Sequence, residues 1–363
     1  MIPPELAEVV ARALPVMVFL VAITIVAEIS DLAGVFDVAG HATARAARHR
    51  TVVLWLLLSA LAVVVTVFLG LDTTAVLLTP VALTIARQIG VRAMPFALTT
   101  LFLANTASLF LPVSNLTNLL ALDRFAGLGL SHSDYVRLAL APGVAAVIGT
   151  LLVIGVVHRK ELRGHFIADA PAQPHDRVLL WWAGTVCLLV GPLFAIGLPP
   201  WAVSGAAAVV LVAVIAWRSP HLLRRIHPPW VLAAVVGLLF LIVQLIVNVS
   251  AGPLLARLAG SGEGPLDLLR VAGLGTLASN LLNNLPGYLA LEDAAATSPA
   301  RLMALLVGTN VGPIITPWGS LATLLWLHRV RAAGIPIAPL GLAAQGLAVA
   351  LIAGAAAILA LTL

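Results

Sequence analysis

LANTASLFLPVSNLTNLL, residues 103–120, decides how this chain is read. It places Asn105, Ser108, Ser114, Asn115, Thr117 and Asn118, together with Pro112, inside a segment otherwise apolar enough to sit in lipid. Pro112 lacks an N–H and clashes with the turn before it, so a helix here must break. Irregular backbone at membrane depth survives only where it is buried in protein or lines a cavity. The stretch is therefore a candidate binding site.

The rest of the chain supports a membrane setting. Its 363 residues are 61% hydrophobic and 10% charged, with a mean hydropathy of +1.09, more apolar surface than a soluble globule can hide. The formal charge of +5 reflects 20 Lys+Arg against 15 Asp+Glu. Those basic residues cluster in short connections, which is an orientation signal and not a nucleic-acid footprint. Cys187 is the only cysteine, which excludes an intramolecular disulfide and a cysteine-based metal cluster. No cleavage site follows an N-terminal apolar core, so a removable signal peptide is not expected.

Apolar segments run roughly over 13–36, 52–69, 74–86, 94–122, 136–157, 178–198, 201–217, 230–249, 266–282, 286–291, 301–327 and 337–363. Most can cross about 30 Å of hydrocarbon as a helix, but 74–86 and 286–291 are too short. Each short piece follows a longer one across a polar tip, Gly70-Leu71-Asp72-Thr73-Thr74 and Ser279-Asn280-Leu281-Leu282-Asn283-Asn284. Two re-entrant hairpins are the natural reading. The connections 41–50, 86–93, 158–177, 217–228 and 328–335 hold 14 of the 20 Lys+Arg and are placed in the cytoplasm. Both chain ends then lie outside, the first hairpin opens inward and the second opens outward.

The sequence also repeats. A shift of 205 lays Asn105, Pro112, Leu116, Leu119 and Leu120 on Asn310, Pro317, Leu321, Leu324 and Leu325, with Asn115 facing Ser320 and Asn118 facing Thr323. A shift of 206 lays Pro80 on Pro286. Halves that begin on opposite sides of the membrane form the inverted-repeat plan of secondary transporters, whose sites sit near the midplane at discontinuous helices. The expected organisation is a first transmembrane repeat at 1–157, a cytoplasmic linker at 158–177 and a second repeat at 178–363. The fold class is an all-α polytopic membrane protein with two inverted-topology repeats, each holding a re-entrant hairpin and a broken transmembrane helix. The linker, at 20 residues, is too short for a catalytic domain.

A broken helix frees N–H groups at one end and carbonyls at the other, beside hydroxyls and amides that can replace a solute's water. The alternative is that these polar side chains hold helices together. Asp72 stands out at the first tip, because a carboxylate inside a membrane segment is costly and usually functional. It could bind a cation or carry a proton, or it could be a solvated cap at an ordinary turn. The second tip offers Ser279, Asn280, Asn283 and Asn284 but no acid. Glu28 and Asp31, three apart on the first helix with Asp37 beyond them, form either a proton entry route or a hydrated cytoplasmic end. Gln244 and Asn248 are a polar pair one turn apart.

All nine histidines fall in predicted loops or at their edges, which disfavours an intramembrane haem or zinc site. No HExxH, GxSxG or P-loop is present. An intramembrane enzyme would need a metal or nucleophile constellation that the sequence lacks. No cofactor is expected, and energy must come from an ion gradient or from an ATPase on another chain.

LANTASLFLPVSNLTNLLAL, LASNLLNNLPGYLALE and VGTNVGPIITPWGSLATLLW resemble the signature segments of bacterial arsenite permeases, the membrane subunit of arsenical pumps, within the ion transporter superfamily. DTTAVLLTPVALTIA resembles that family's first hairpin, and the likeness spans roughly 27–327. The resemblance implies a multi-pass protein of the cytoplasmic membrane that extrudes arsenite or antimonite in exchange for protons, alone or with a soluble ATPase subunit. It places family roles on Asp72, Thr73 and Thr74, on Asn105 and Ser114 to Asn118, on Asn280 to Asn284, and on Asn310 to Thr323, which includes Thr316, Ser320 and Thr323. Proton coupling falls on Asp72 or Glu28. An N-terminal span of the longer permeases is expected to be missing, which leaves the outside N-terminus and homodimer contacts open. The alternative on the same scaffold is a sodium/proton antiporter or a sodium-coupled carrier of dicarboxylate-type anions. No Arg or Lys is predicted at the midplane, which favours a neutral or cationic load. No thiolate site is suggested by the lone Cys187, and the partners expected are the inorganic solute, protons and membrane lipid.

Overall fold

A computed structural model describes residues 4–166, 176–246 and 252–363; for 4–13 and 239–246 it describes the backbone alone. Gln244 and the polar residue one turn on, Asn248, lie outside the described side chains. Among the described residues the regular structure is helical, apart from one isolated bridge between Arg50 and His165.

The first half begins with α1 (Pro4–Leu32) and α2 (Val35–Ala46). A hairpin follows, with α3 (Thr51–Leu69) descending and α4 (Leu71–Thr73), a π turn (Thr74–Leu78) and α5 (Thr79–Gln88) returning. The broken helix is α6 (Met94–Thr106) and α7 (Leu116–Gly127), and α8 (His132–Val157) closes the half. The second half adds α9 (Arg177–Ala195), α10 (Pro200–Arg218), α11 (Trp230–Ile246) and the short α12 (Gly252–Ala259) before its own hairpin, α13 (Pro265–Leu282) and α14 (Asn284–Ala295). Its broken helix is α15 (Pro299–Val311) and α16 (Leu321–Ala332), followed by α17 (Pro339–Leu361).

Among the described residues six helices are long and apolar enough to span: 14–32, 51–69, 132–157, 177–195, 200–218 and 339–361. They carry large apolar side chains on their outer faces, Trp181 at 75% exposure, Leu188 at 77% and Leu340 at 87%. Such a belt is stable against lipid and not against water. Sequence reading missed α2 and α12 and drew the returning hairpin arms too short. The arms run on to Gln88 and Ala295 because polar residues such as Glu292 are buried among helices and do not end the segment.

Both hairpins turn through one unusual residue with nearly the same backbone. Gly70 has φ 89° and ψ 164°, and Asn283 has φ 101° and ψ 155°. Positive φ suits glycine, and asparagine is among the few other residues that tolerate it. The equivalence Gly70 to Asn283 is a shift of 213, so the 206-residue match of Pro80 to Pro286 does not align the tips. The broken helices keep the 205 shift throughout: 94–106 falls on 299–311, the 3₁₀ turn 107–109 on 312–314, and 116–127 on 321–332.

The repeats are inverted with respect to each other. α6 lies against α16 and α15 against α7, so the two broken helices cross head to tail. At one end Trp326 Nε1 donates to the Ala97 carbonyl at 2.7 Å. At the other, Arg124 of α7 reaches Glu292 at 3.0 Å and Asp293 at 2.5 Å on α14. Glu292 is buried, and breaking a buried pair costs more than the pair contributes. Arg124→Gln is therefore expected to cost about 3 kcal/mol, read as a lowered Tm in detergent.

Small residues let helices approach within each repeat and between them. Gly149 of α8 sits where a Cβ would lie 2.9 Å from the Ala353 Cα of α17. Gly308 of α15 faces the Ala272 carbonyl of α13 with no room for a side chain. Gly308→Val is expected to force the second hairpin off its broken helix, costing about 3 kcal/mol or more and lowering the yield of folded protein in the membrane.

Candidate functional site

Each hairpin tip meets the break of the broken helix in its own half. Ser114 Oγ donates to the Val67 carbonyl at 2.9 Å, and the Ser114 carbonyl lies 3.6 Å from where a Gly70 Cβ would be. In the second half Asn280 Oδ1 accepts from the Thr316 N–H and hydroxyl, both at 2.9 Å, and Asn280 Nδ2 donates to the Gly312 carbonyl at 2.9 Å. Asn283 Nδ2 donates to the Trp318 carbonyl at 3.0 Å, and the Asn284 N–H to the Gly319 carbonyl at 2.8 Å. Tip and break thus satisfy each other's free backbone groups, as lipid-depth backbone requires. Asp72 consequently lies beside the break of the broken helix in its own half, with Val113, Ser114 and Asn115.

The two assemblies face one cavity of about 190 Å³. Asp72, Asn115, Asn283 and Asn284 line it with polar atoms, and Leu232, Val235 and Val236 of α11 form an apolar wall. Four helices begin on its rim: α4 after Gly70, α7 after Asn115, α14 after Asn283 and α16 after Ser320. Their N-terminal N–H groups give the cavity a partial positive field. Asp72 supplies the carboxylate in that field, and its buried Oδ1 has no hydrogen-bond partner among the described residues. Among the described residues no Lys or Arg lines the cavity.

Other sequence candidates hold the scaffold. Asn310 Oδ1 accepts from Ser108 Oγ at 3.1 Å, from Thr117 Oγ1 at 3.4 Å and from Asn115 Nδ2, while Asn310 Nδ2 donates to Asn118 Oδ1 at 2.7 Å. Asn118 Nδ2 in turn ties down the Ser108 and Leu111 carbonyls at 2.6 and 3.2 Å. This network joins one repeat to the other across the break. Thr74 Oγ1 shares a 2.8 Å bond with Thr66 Oγ1 within the first hairpin, and Thr73 Oγ1 donates to the Leu69 carbonyl at 2.8 Å. Ser320 Oγ caps α16 by accepting from the Thr323 N–H at 3.1 Å, and it shares a 2.8 Å bond with the Thr323 hydroxyl.

The pseudo-symmetry fails at one informative point. Asn105, the counterpart of Asn310, donates to the Leu101 carbonyl, but its buried Oδ1 has no partner among the described residues. Ser279 Oγ, beneath the second tip, is likewise buried and unpartnered. Glu28 stands away from the cavity, where its Oε2 accepts from the His227 N–H at 2.7 Å in the connection between α10 and α11. Thr24, one turn nearer on the same helix, lines a second, smaller void of about 40 Å³ together with Asp72. The sequence reading missed Thr24, the α11 wall and the Arg124–Glu292 pair; the first two carry no polar pattern of their own. Cys187 shares a 3.2 Å contact with Ser30 between α9 and α1 and is not at the cavity.

Comparison with known proteins agrees with this architecture. A family model described as citrate transporter, CitMHS, matches residues 3–299. The chain is 30% identical over 340 residues to the arsenical pump membrane protein of Escherichia coli, covering 85% of this chain and 76% of that one. It is 25% identical over 366 residues to a 46 kDa membrane protein of Mycobacterium leprae, covering 93% and 83%. The crystal structure of the Alcanivorax borkumensis YdaH transporter, described as having an unusual topology, superposes with a TM-score of 0.64 at 17% identity, covering 99% of this chain and 87% of that one.

Proposed function

This chain belongs to the CitMHS citrate transporter family, as a member of its arsenite permeases and a multi-pass transporter of the cell membrane, and from that premise we propose that it exports arsenite or antimonite in exchange for protons. The observation that carries the reading is the cavity shared by both repeats, with Asp72 as its one unpartnered carboxylate and no Lys or Arg in its lining among the described residues. At neutral pH the trivalent oxyacids are neutral solutes with three hydroxyls. The helix N-termini would donate to their oxygens, and the Asn115, Asn283 and Asn284 amides would donate to or accept from the hydroxyls. A volume of about 190 Å³ corresponds to roughly six waters at liquid density, enough for one such solute.

Asp72 would set the coupling. Ionised, it accepts a hydrogen bond from a bound hydroxyl; protonated, it becomes a donor and leaves the solute less well held. Glu28 at the cytoplasmic end and Thr24 beside Asp72 would mark the route by which a proton reaches or leaves the carboxylate. The stoichiometry and the use of an ATPase subunit are separate from this assignment.

A second reading is a sodium-coupled carrier of anions, which the four helix N-termini favour and the citrate transporter match supports. A tricarboxylate would need a countercharge that the lining does not provide, so the metalloid reading is preferred. Everted vesicles with an imposed pH gradient test the choice: gradient-driven uptake of arsenite and antimonite is expected. Sodium movement or citrate uptake without metalloid uptake would replace the first reading with the second.

A further inference from the structure

We infer that the cytoplasmic face carries a headgroup site for an anionic phospholipid, formed where the linker after α8 folds back onto the start of α3. The residues that form it are brought together by backbone pairing. The Thr51 N–H donates to the Gly164 carbonyl at 3.2 Å and the Phe166 N–H to the His49 carbonyl at 2.9 Å, forming the bridge between Arg50 and His165. His49 Nδ1 adds a 3.0 Å contact to the Phe166 carbonyl. This pairing holds Arg50, Arg163 and His165 around one cavity of about 410 Å³, to which the end of α8 adds Arg159.

The cavity is basic above and apolar below. Arg50 immediately precedes the span that begins at Thr51, and Arg159 and Arg163 lie in the linker that follows the span ending at Val157. Val52, 44% exposed, and the largely buried ring of Trp55 form the wall below, both on the span that begins at Thr51. That profile matches a phospholipid: a phosphodiester at the level of the guanidinium groups and acyl carbons against the helix faces below. Among the described residues none of Arg50, Arg159 and Arg163 has an ion-pair or hydrogen-bond partner for its side chain. The one acid nearby among the described residues, Glu161, is engaged by His158 at 3.2 Å and Arg92 at 3.7 Å. Three guanidinium groups without a countercharge among the described residues, in a cleft at the membrane boundary, call for a phosphate, and the apolar wall makes it a lipid phosphate and not a free one. The site is remote from the transport cavity and independent of what that cavity carries.

The test uses the full chain purified in detergent, with retained lipid read by native mass spectrometry and binding by thermal shift. Phosphatidylglycerol is expected to bind and raise Tm, and phosphatidylcholine and inorganic phosphate are not. Taking about one ionic contact per arginine, each single variant, Arg50→Gln, Arg159→Gln or Arg163→Gln, should weaken phosphatidylglycerol about fivefold and the triple variant about a hundredfold. Arg224→Gln with Arg225→Gln, on another cytoplasmic connection, should leave it unchanged. If the triple variant fails to fold, the single variants and Arg163→Lys, which keeps the charge and should bind nearly as the parent does, carry the test. Equal binding of phosphatidylcholine, an equal shift from inorganic phosphate, or full binding by the three single variants would overturn the inference.

Discussion

Asp72→Asn is expected to reduce proton-driven metalloid transport about a hundredfold, a loss of some 2.7 kcal/mol, while leaving the protein folded. The two side chains have the same shape, and the carboxylate's Oδ1 has no partner among the described residues to lose. What the amide removes is the ability to be ionised at one stage of the cycle and neutral at another. Tm in detergent should stay level or rise, because an uncompensated buried carboxylate is a cost to folding that the amide relieves. Transport in everted vesicles at matched protein levels, followed with Tm on the same preparations, separates the two effects. Intact gradient-driven transport in the variant would remove Asp72 from the coupling step.

The second large effect should fall on the pseudo-symmetric pair Asn310 and Asn105, and in opposite currencies. Asn310→Ala strips an acceptor from Ser108, Asn115 and Thr117 and a donor from Asn118, all buried between the repeats. Unsatisfied buried groups of this kind cost about 1–3 kcal/mol each and are coupled, so a loss of about 4 kcal/mol is expected. Asn105→Ala removes only one bond, to the Leu101 carbonyl within its own helix, and should cost about 1 kcal/mol. Thermal unfolding of the two variants side by side measures the difference. Equal destabilisation would mean that the inter-repeat network is not what joins the halves.

Much of this architecture was legible in the sequence, and the reasons differ by element. The 205-residue shift survives in three dimensions because Asn105 and Asn310, and the prolines behind them, sit at helix interruptions where few residue types serve. The hairpin register was not legible. Gly70 and Asn283 occupy equivalent turns with different residue types, so a search for identical letters found Pro80 and Pro286 instead. The polar cluster at 105–118 was correctly placed at a break, but its internal division was hidden. Which amides face a cavity and which face the other repeat depends on how α7 and α15 cross, a contact between residues nearly two hundred positions apart. The helix N-termini that begin at the cavity supply a positive field that a reading of side chains alone overlooks.

The central claim is that solute binds between the two hairpin tips and the two helix breaks. Antimony's anomalous scattering tests it most directly, in crystals of the detergent-solubilised protein grown with antimonite. The account predicts a peak inside the cavity bounded by Asp72, Asn115, Asn283 and Asn284. A peak at Cys187, or none in that cavity while one appears elsewhere in the membrane region, would contradict it.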